Sequence, residues 1–361
     1  METLEVNNSF WKDRKVLITG HTGFKGSWLS LWLQEMGAEV IGFSLPPPTI
    51  PNLFEIAHVE EKMLHSLGDI RNPNQLNTFF STHRPEIVFH LAAQSLVRFS
   101  YDNPIETYAT NVMGTVHLLD AIRQTEGVRV AVIVTSDKCY ENKEWIWGYR
   151  ENDPMGGFDP YSSSKGCAEL VTSAFRNSFF PADKYSQHGV ALASVRAGNV
   201  IGGGDWAKDR LIPDIVKSFL ENRPVSIRNP SSIRPWQHVL EPLSGYLLLA
   251  QYLWEKGPEY AEGWNFGPRE EDVCSVDFIV KKLTDLWGNE ASCIFSNENH
   301  LHEANFLKLD STMARTRLGW RQKWNLNRSL HSIVEWFNSW QNKEDMRKIT
   351  IEQILKYETH V

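Results

Sequence analysis

The chain has no apolar run near the roughly 18–20 residues that a membrane-spanning helix needs, so no such helix is expected. Its opening residues, Met1 to Glu5, lack the basic cluster and apolar core of an export signal, which predicts a cytoplasmic protein. Cysteine is scarce. The four present (Cys139, Cys167, Cys274, Cys293) form no Cys-x-x-Cys pair. That spacing argues against a disulfide framework and against the common zinc sites, so no metal is expected and the thiols read as reduced. Positive charge is in deficit, with 37 Lys and Arg against 44 Asp and Glu and a formal net charge of −7. Such a surface repels polyanions, which excludes general nucleic-acid binding. Internal repeats and low-complexity linkers are also missing.

The rest is ordinary for a globular chain: 42% hydrophobic and 22% charged over 361 residues. That length exceeds what one core usually serves, so two closely packed lobes are expected. Tryptophan is plentiful, at 14 residues. Four of these (Trp320, Trp324, Trp336, Trp340) fall near the C-terminus and read as helix-packing residues.

Lys15 to Thr19 is a short apolar run that reads as a buried strand. Gly20-His21-Thr22-Gly23-Phe24-Lys25-Gly26 follows at once, then a helical stretch from Ser27 to Met36 and a second strand over Val40–Leu45. Strand, glycine loop, helix and strand in that order form a diphosphate cradle. Glycines let backbone approach the phosphates, and the helix N-terminus offers free N–H groups. The spacing is Gly-x-x-Gly-x-x-Gly rather than the Gly-x-Gly-x-x-Gly of ordinary dinucleotide dehydrogenases. The second strand ends in Ser44, where an acidic residue normally holds the ribose. A serine hydroxyl neither repels a 2′-phosphate nor attracts one, so this position leaves NAD and NADP open.

Further strands are predicted over 63–71, 86–94, 130–135 and 191–196, with a long helix from Pro104 to Arg123 and another from Tyr161 to Phe179. This alternation predicts an α/β fold, a doubly wound parallel sheet of Rossmann type with a smaller, mainly α substrate-binding domain. The dinucleotide domain is expected over 1–196 with return segments near 238–268. The second domain is expected over 197–361, mainly 197–237 and 269–361. In such sheets ligands bind beyond the carboxyl ends of the strands. The glycine loop, Gln94, Ser136-Asp137-Lys138 and Asn199 all fall on that edge.

Tyr161 and Lys165 stand four apart on a helix, hence on one face. An ammonium beside a phenol favours the phenolate, which predicts a Tyr161 pKa lowered toward working pH and a general base for an alcohol. Arg210 and Arg234 suit a substrate diphosphate, because guanidinium matches phosphate oxygens in pairs. Asn199 suits a phosphate or sugar oxygen, and Trp236 a stacking contact with sugar or base.

Thr19-Gly20-x-x-Gly23-Phe24-x-Gly26, Gly68-Asp69-Ile70, His90-Leu91-Ala92-Ala93, Asn111-Val112-x-Gly114-Thr115, Tyr161-x-x-x-Lys165 and Arg196 follow one another in an order that resembles the extended short-chain dehydrogenase/reductase family. Within it the chain is similar to the nucleotide-sugar 4,6-dehydratases, which carry an acid directly after the hydroxyl residue, here Ser136-Asp137. Thr135 to Tyr140, Arg196 to Trp206 and Arg234 to Val239 look like the members that act on CDP-glucose. The resemblance implies NAD as cofactor, held by Gly20, His21, Gly23, Phe24, Lys25, Gly26, Ser44, Asp69, Ile70, Ala92, Tyr161 and Lys165. It implies a nucleotide-sugar substrate, CDP-glucose, held by Gln94, Asn199, Arg210, Arg234 and Trp236. It also implies catalysis by Ser136, Asp137, Lys138, Tyr161 and Lys165, and a homodimer paired through the two long helices. The pathway it implies is deoxysugar supply for surface polysaccharide such as O-antigen. One departure stands out. Related dehydratases have Glu after the Asp, as base for the C5 proton, and here Lys138 takes that place. A neutral Lys138 would remove the proton; a protonated one would stabilise the enolate.

Overall fold

The computed structural model describes residues 6–227, 229–288, 293–295 and 306–359. Seven strands form the central sheet: β1 (Lys15–Thr19), β2 (Glu39–Ser44), β3 (Leu64–Leu67), β4 (Ile87–His90), β5 (Val130–Val134), β6 (Ala191–Ala197) and β7 (Gly263–Phe266). Their order is β7-β6-β5-β4-β1-β2-β3, and every pairing is parallel. β1 and β4 are neighbours with the chain leaving them in opposite directions, which creates a crevice at their carboxyl ends. β4, β5 and β6 are buried at every residue, and β1 at all but Lys15. Continuous apolar runs of this kind belong to strands covered on both faces. β3, at the edge, has only intermediate or exposed residues. The predicted strands at 63–71 and 86–94 run too long. The sheet stops at Leu67 and His90, and the chain beyond turns away along the crevice.

Helices cover both faces. On one, Trp28, Leu29 and Trp32 of α1 (Phe24–Glu35) pack in the same core as Leu243 and Leu247 of α4 (Leu240–Lys256). On the other, Leu118, Leu119 and Ile122 of α2 (Gly114–Gln124) join Leu76 and Phe80. α3 (Pro160–Ser178), capped by the Asp159 carboxylate on the Ser162 N–H, lies beside α2. The helix ahead of α2 runs through a π-turn, Ala109–Met113, that carries Asn111. Such an extra residue in a helix often marks a functional site. Here Asn111 reaches both neighbouring elements. It brackets the Gln94 backbone through Gln94 N (2.8 Å) and Gln94 O (2.9 Å), and donates to Ser164 Oγ on α3 (2.8 Å).

α1 is buried on nearly all sides, and the second cover comes from the chain's end. Residues 346–358 form helix α5 (Met346–Glu358), docked on α1. Met346, Thr350, Ile354 and Tyr357 make one buried stripe, enough for a helix with a single contact face. Trp32 Nε1 donates to Glu358 Oε1 (2.7 Å), and Arg347 donates to Gln34 Oε1 (2.7 Å). Trp320, Trp324 and Trp336 are buried in the same core, with Trp340 packed against it.

Among the described residues, three short strand pairs lie outside the sheet. Gln237–His238 runs parallel to Val200–Ile201, and Ile233–Pro235 pairs antiparallel with Val273–Ser275. Val225–Ile227 pairs parallel with Cys293–Phe295. The first pair fixes the loop that bears Asn199, and the second holds Arg234 itself.

Candidate active site

A cavity of about 860 Å³ opens at the carboxyl edge of the sheet. Each of its strands β1, β2, β4, β5 and β6 delivers a lining residue just at or past its end: Gly20, Ser44, Ala92, Ser136 and Asn199. One site thus draws on residues 179 positions apart in sequence (199 − 20).

The glycine loop is shaped by its own backbone. Gly20 sits at φ +76°, and a Cβ there would lie 2.6 Å from Ala92 N. A Cβ on Gly26 would lie 2.2 Å from Gly20 O. These two glycines close the turn. Gly23 differs: a Cβ there would meet only Gly20 O, at 3.4 Å, so the space above it is open. Gly23 also caps α1, whose twelve residues bring first-turn N–H groups to the cleft. Phe24 and Lys25 line the same wall. This cradle fits a diphosphate.

His21 does not face it. Its imidazole is buried behind the loop, with Nε2 2.7 Å from His65 Nδ1 and the ring edge-on to Phe54. Burial, then His65, pushes its pKa down to about 3. The expected cofactor role therefore does not extend to this side chain. The reversal at Gly20 turns residue 21 inward, where Gly42 leaves room for the ring.

Ser44 Oγ lies 2.8 Å from Thr22 Oγ1, which also donates to Leu45 O (2.8 Å). Around Ser44 the wall is Thr22, Leu45, Pro46, Pro48, Thr49 and Asn52. Asp69 and Ile70 line the cleft too. The Asp69 carboxylate is gripped by Arg71 Nε (3.0 and 2.9 Å) and Nη2 (2.7 Å), which holds its pKa down.

Ser136, Asp137 and Tyr161 are buried together at the end of β5 and the start of α3. Ser136 Oγ donates to Asp137 Oδ1 (3.0 Å) and accepts from the Lys138 N–H (3.2 Å). Asp137 Oδ2 is buried without a hydrogen-bond partner. Burial raises the Asp137 pKa, against the pull of Lys138, the Ser136 bond, Arg234 and Lys25. A raised carboxyl pKa is what a general acid requires.

Tyr161 departs from expectation. Burial pushes its phenol up to about 12, and the groups that draw it down are the Ser136 hydroxyl and then Arg210 rather than Lys165. Lys165 points to the strand, donating to Val134 O (3.4 Å), and burial brings it down to about 8. Four-residue spacing puts both side chains on one face, but the low-dielectric cleft penalises both charged forms. Lys25 is likewise brought down to about 7, by burial and then by Arg210 and Lys165.

Among the expected substrate residues, Arg210, Arg234 and Asn199 line the cleft. Arg210 is held by Asp205 (3.0 Å) and Ser95 Oγ (2.8 Å), which aim it at the cavity. Arg234 is buried and donates to Ile233 O (2.9 Å). Gln94 and Trp236 touch the cavity wall, but their polar groups are already engaged. Gln94 Nε2 donates to Thr107 Oγ1 (2.9 Å) and Leu96 O (3.1 Å). Trp236 is buried, with its indole on Cys274 O (2.9 Å). Gln94 shapes the loop and Trp236 packs the wall.

Sequence reasoning missed a second buried group directly behind the first. Glu169 of α3 accepts from Thr135 Oγ1, from Ser194 Oγ (2.7 Å) and from Arg196 Nη2 (2.8 Å). Arg196 Nη1 continues to Tyr140 OH (2.6 Å), which donates to Asn265 Oδ1 (2.7 Å). Only Arg196 had a motif to announce it. Glu169 lies in an ordinary helical stretch, and its partners come from strands far away in the chain.

Comparison with known proteins agrees with this geometry. A family model described as GDP-mannose 4,6 dehydratase matches residues 17–333. A CDP-glucose 4,6-dehydratase of Salmonella typhimurium is 60% identical over 352 residues, covering 98% of each chain. A probable dTDP-glucose 4,6-dehydratase of Sinorhizobium fredii is 26% identical, covering 90% of this chain and 94% of its own. Among solved structures, the dTDP-glucose 4,6-dehydratase of Bacillus anthracis in complex with NAD has the same fold, with TM-score 0.74 and 21% identity over 92% of this chain and 99% of that one. With a doubly wound sheet, a glycine-loop cradle and a family match across most of its length, the chain belongs to the GDP-mannose 4,6 dehydratase family.

Proposed function

We propose that the chain is an NAD-dependent nucleotide-sugar 4,6-dehydratase that converts CDP-glucose to CDP-4-keto-6-deoxyglucose. The observation that carries this reading is the buried Ser136–Asp137 pair beside Tyr161. An epimerase or reductase of the same fold needs no acid for a C6 hydroxyl. Burial raises the Asp137 pKa, and the residue stands in the cleft.

Elimination across C5–C6 is difficult because the C5–H bond is not acidic until C4 is a ketone. When bound, NAD supplies the hydride acceptor and donor for C4 and C6. The chain's residues handle the protons. Tyr161 takes the C4 hydroxyl proton, and Ser136 holds the C4 oxygen. Lys165 orients the nicotinamide ribose. Asp137 protonates the departing C6 hydroxyl. Lys138, directly after it, serves C5, as base when neutral or as enolate partner when charged. Arg210 and Arg234 hold the substrate diphosphate, and Asn199 holds a phosphate or sugar oxygen. Gly20, Gly23, Phe24, Lys25 and Gly26 cradle the cofactor diphosphate, with Ser44, Asp69, Ile70 and Ala92 around the adenosine. The described wall near Ser44 carries no Arg or Lys, which favours NAD over NADP.

The nucleotide-sugar part is assigned to 197–237 and 269–361, and the enzyme to cytoplasmic deoxysugar supply for surface polysaccharide. Pairing of two copies through the helices at 104–124 and 160–178 is supported by their exposed apolar residues, Ile105, Met113 and Leu170. Light scattering that gives only monomer mass overturns the pairing. Incubation with NAD and CDP-glucose is expected to yield a 4-keto-6-deoxy sugar, read by its absorbance in base. Turnover of no nucleotide-glucose donor overturns the dehydratase reading.

A further inference from the structure

We propose, on the dehydratase reading above, that Gly198 is a positioning residue for the Asp137 carboxyl: the space left by its missing side chain fixes where the acid's second oxygen lies. In the elimination, the carboxyl proton joins the C6 oxygen as the C6–O bond breaks with its electron pair on oxygen. The C5–H pair becomes the C5–C6 double bond, the C5 proton passes to the base, and water leaves. Ser136 Oγ already donates to Asp137 Oδ1 (3.0 Å), so Oδ2 is the oxygen left to carry the acid's proton. Oδ2 is buried and has no hydrogen-bond partner among the described residues. No donor sets its place, so the atoms packed around it must.

One of those neighbours is Gly198, which lines the cleft together with Asp137. A Cβ on Gly198 would lie 3.0 Å from Asp137 Oδ2, 2.5 Å from Pro235 Cγ and 3.3 Å from Pro235 O. An approach of 3.0 Å is inside ordinary van der Waals contact. A methyl there would turn the carboxyl and strain its bond to Ser136. The backbone does not demand glycine at this position. Gly20 and Gly204 of the same cleft are left-handed, at φ +76° and +79°, and Gly198 is not. What Gly198 supplies is room. Its surroundings are also anchored. It follows directly on Ala197, the last residue of β6, and precedes Asn199, whose carbonyl accepts from the Gln237 N–H (3.1 Å). Pro235 is held in its strand pair with Val273. An added methyl would therefore press on the Pro235 ring and on the Asp137 carboxyl.

Pro235 is the tighter neighbour, so the test removes it first. Pro235→Ala deletes the Cγ and should turn over CDP-glucose with NAD at close to the wild-type rate. Adding Gly198→Ala then leaves Asp137 Oδ2 as the nearest obstacle. The double variant should form the 4-keto-6-deoxy product about 10-fold to 100-fold more slowly than Pro235→Ala, as expected when a reacting group is displaced by up to about 1 Å. C4 oxidation should keep the Pro235→Ala rate, read in a single turnover by the absorbance of the reduced nicotinamide. With Asp137→Ala already present, adding Gly198→Ala should change the rate by less than about 2-fold, because effects that run through one group do not add. Urea melts give a readout that needs neither cofactor nor substrate. Gly198→Ala should lower the midpoint of Pro235→Ala, and lower it less once Asp137→Ala has removed the oxygen. An equal loss of rate or of midpoint with and without the Asp137 carboxyl overturns the positioning role. So does an unchanged rate of product formation, a C4 oxidation slowed as much as elimination, or a Gly198→Ala chain that fails to fold in both backgrounds. Absence of 4-keto product from the wild-type enzyme overturns the dehydratase reading itself, and the role of Gly198 with it.

Discussion

Asp137 and Glu169 are two carboxylates at the end of β5, each 4% exposed, and their acidities move in opposite directions. Burial pushes both up. At Glu169 the guanidinium of Arg196, with hydrogen bonds from Arg196, Thr135 and Ser194, more than reverses that push, and the pKa falls below its ordinary value. At Asp137 one oxygen has the Ser136 bond and the other has none, so the push prevails. Equal burial therefore lowers the acid pKa in one place and raises it in the other. What separates them is how many donors reach each oxygen. The satisfied carboxylate clamps α3 to β5 and β6, and the unsatisfied one stands ready for chemistry on the other side of the same strand end.

The comparison is most severely tested by exchanging charge for amide at each site. Asp137→Asn should reduce formation of the 4-keto-6-deoxy product by about 10²–10⁴-fold, the usual value of a general acid, as read by steady-state product formation. The same change should leave denaturant stability equal to wild type or higher, because it removes a buried group whose charge is penalised. Loss of stability there would show that Asp137 is held in place by bonds the structure does not contain. Glu169→Gln should do the opposite and cost about 3–5 kcal/mol in a urea melt, since Arg196 is left as an uncompensated buried cation. Full stability in that variant would break the contrast.

A third prediction sharpens the comparison through pH. The Glu169 pKa is lowered in the folded protein, so its stabilisation is present above the unfolded carboxyl value and is lost as pH falls through the folded one. The Asp137 pKa is raised, so its contribution is greatest below the ordinary value of 3.8 and is lost as pH rises through the folded one. The stability gain of Asp137→Asn over wild type should then grow as pH rises above the unfolded carboxyl value and level off above the folded one. The loss in Glu169→Gln should shrink as pH drops below about 4. Urea melts across that range check both signs. The smallest effect concerns the cleft wall: Trp236→Phe should cost about 1 kcal/mol, the net value of its indole bond to the Cys274 carbonyl. A large loss of substrate affinity with unchanged stability would instead make Trp236 a ligand contact.

The parallel sheet was legible because its strands are buried on both faces and so read as plain apolar runs between helices. The cradle was legible because Gly20 and Gly26 have no room for a side chain, a constraint that appears directly as glycine. Other features had no local trace. Nothing at His21 says that its ring turns to His65, since that depends on Gly42 in the adjacent strand. Nothing local says that residues 346–358 dock on α1, because a helix with one narrow buried stripe resembles a polar segment until α1 is seen beneath it. Gln94 and Trp236 have suitable chemistry for a ligand, but Thr107, Leu96 and Cys274 reach them first.

By itself the sequence determined the order of the elements, the glycine turn and which functional groups meet at the carboxyl edge of the sheet. These follow from side-chain periodicity, strand burial and steric demands that act within a few residues. Only the tertiary structure decided the protonation of those groups: Tyr161 pushed up to about 12 rather than lowered by Lys165, Asp137 raised and Glu169 lowered. Acidity depends on dielectric and on donors within about 3 Å, and those neighbours arrive from parts of the chain that no local pattern connects.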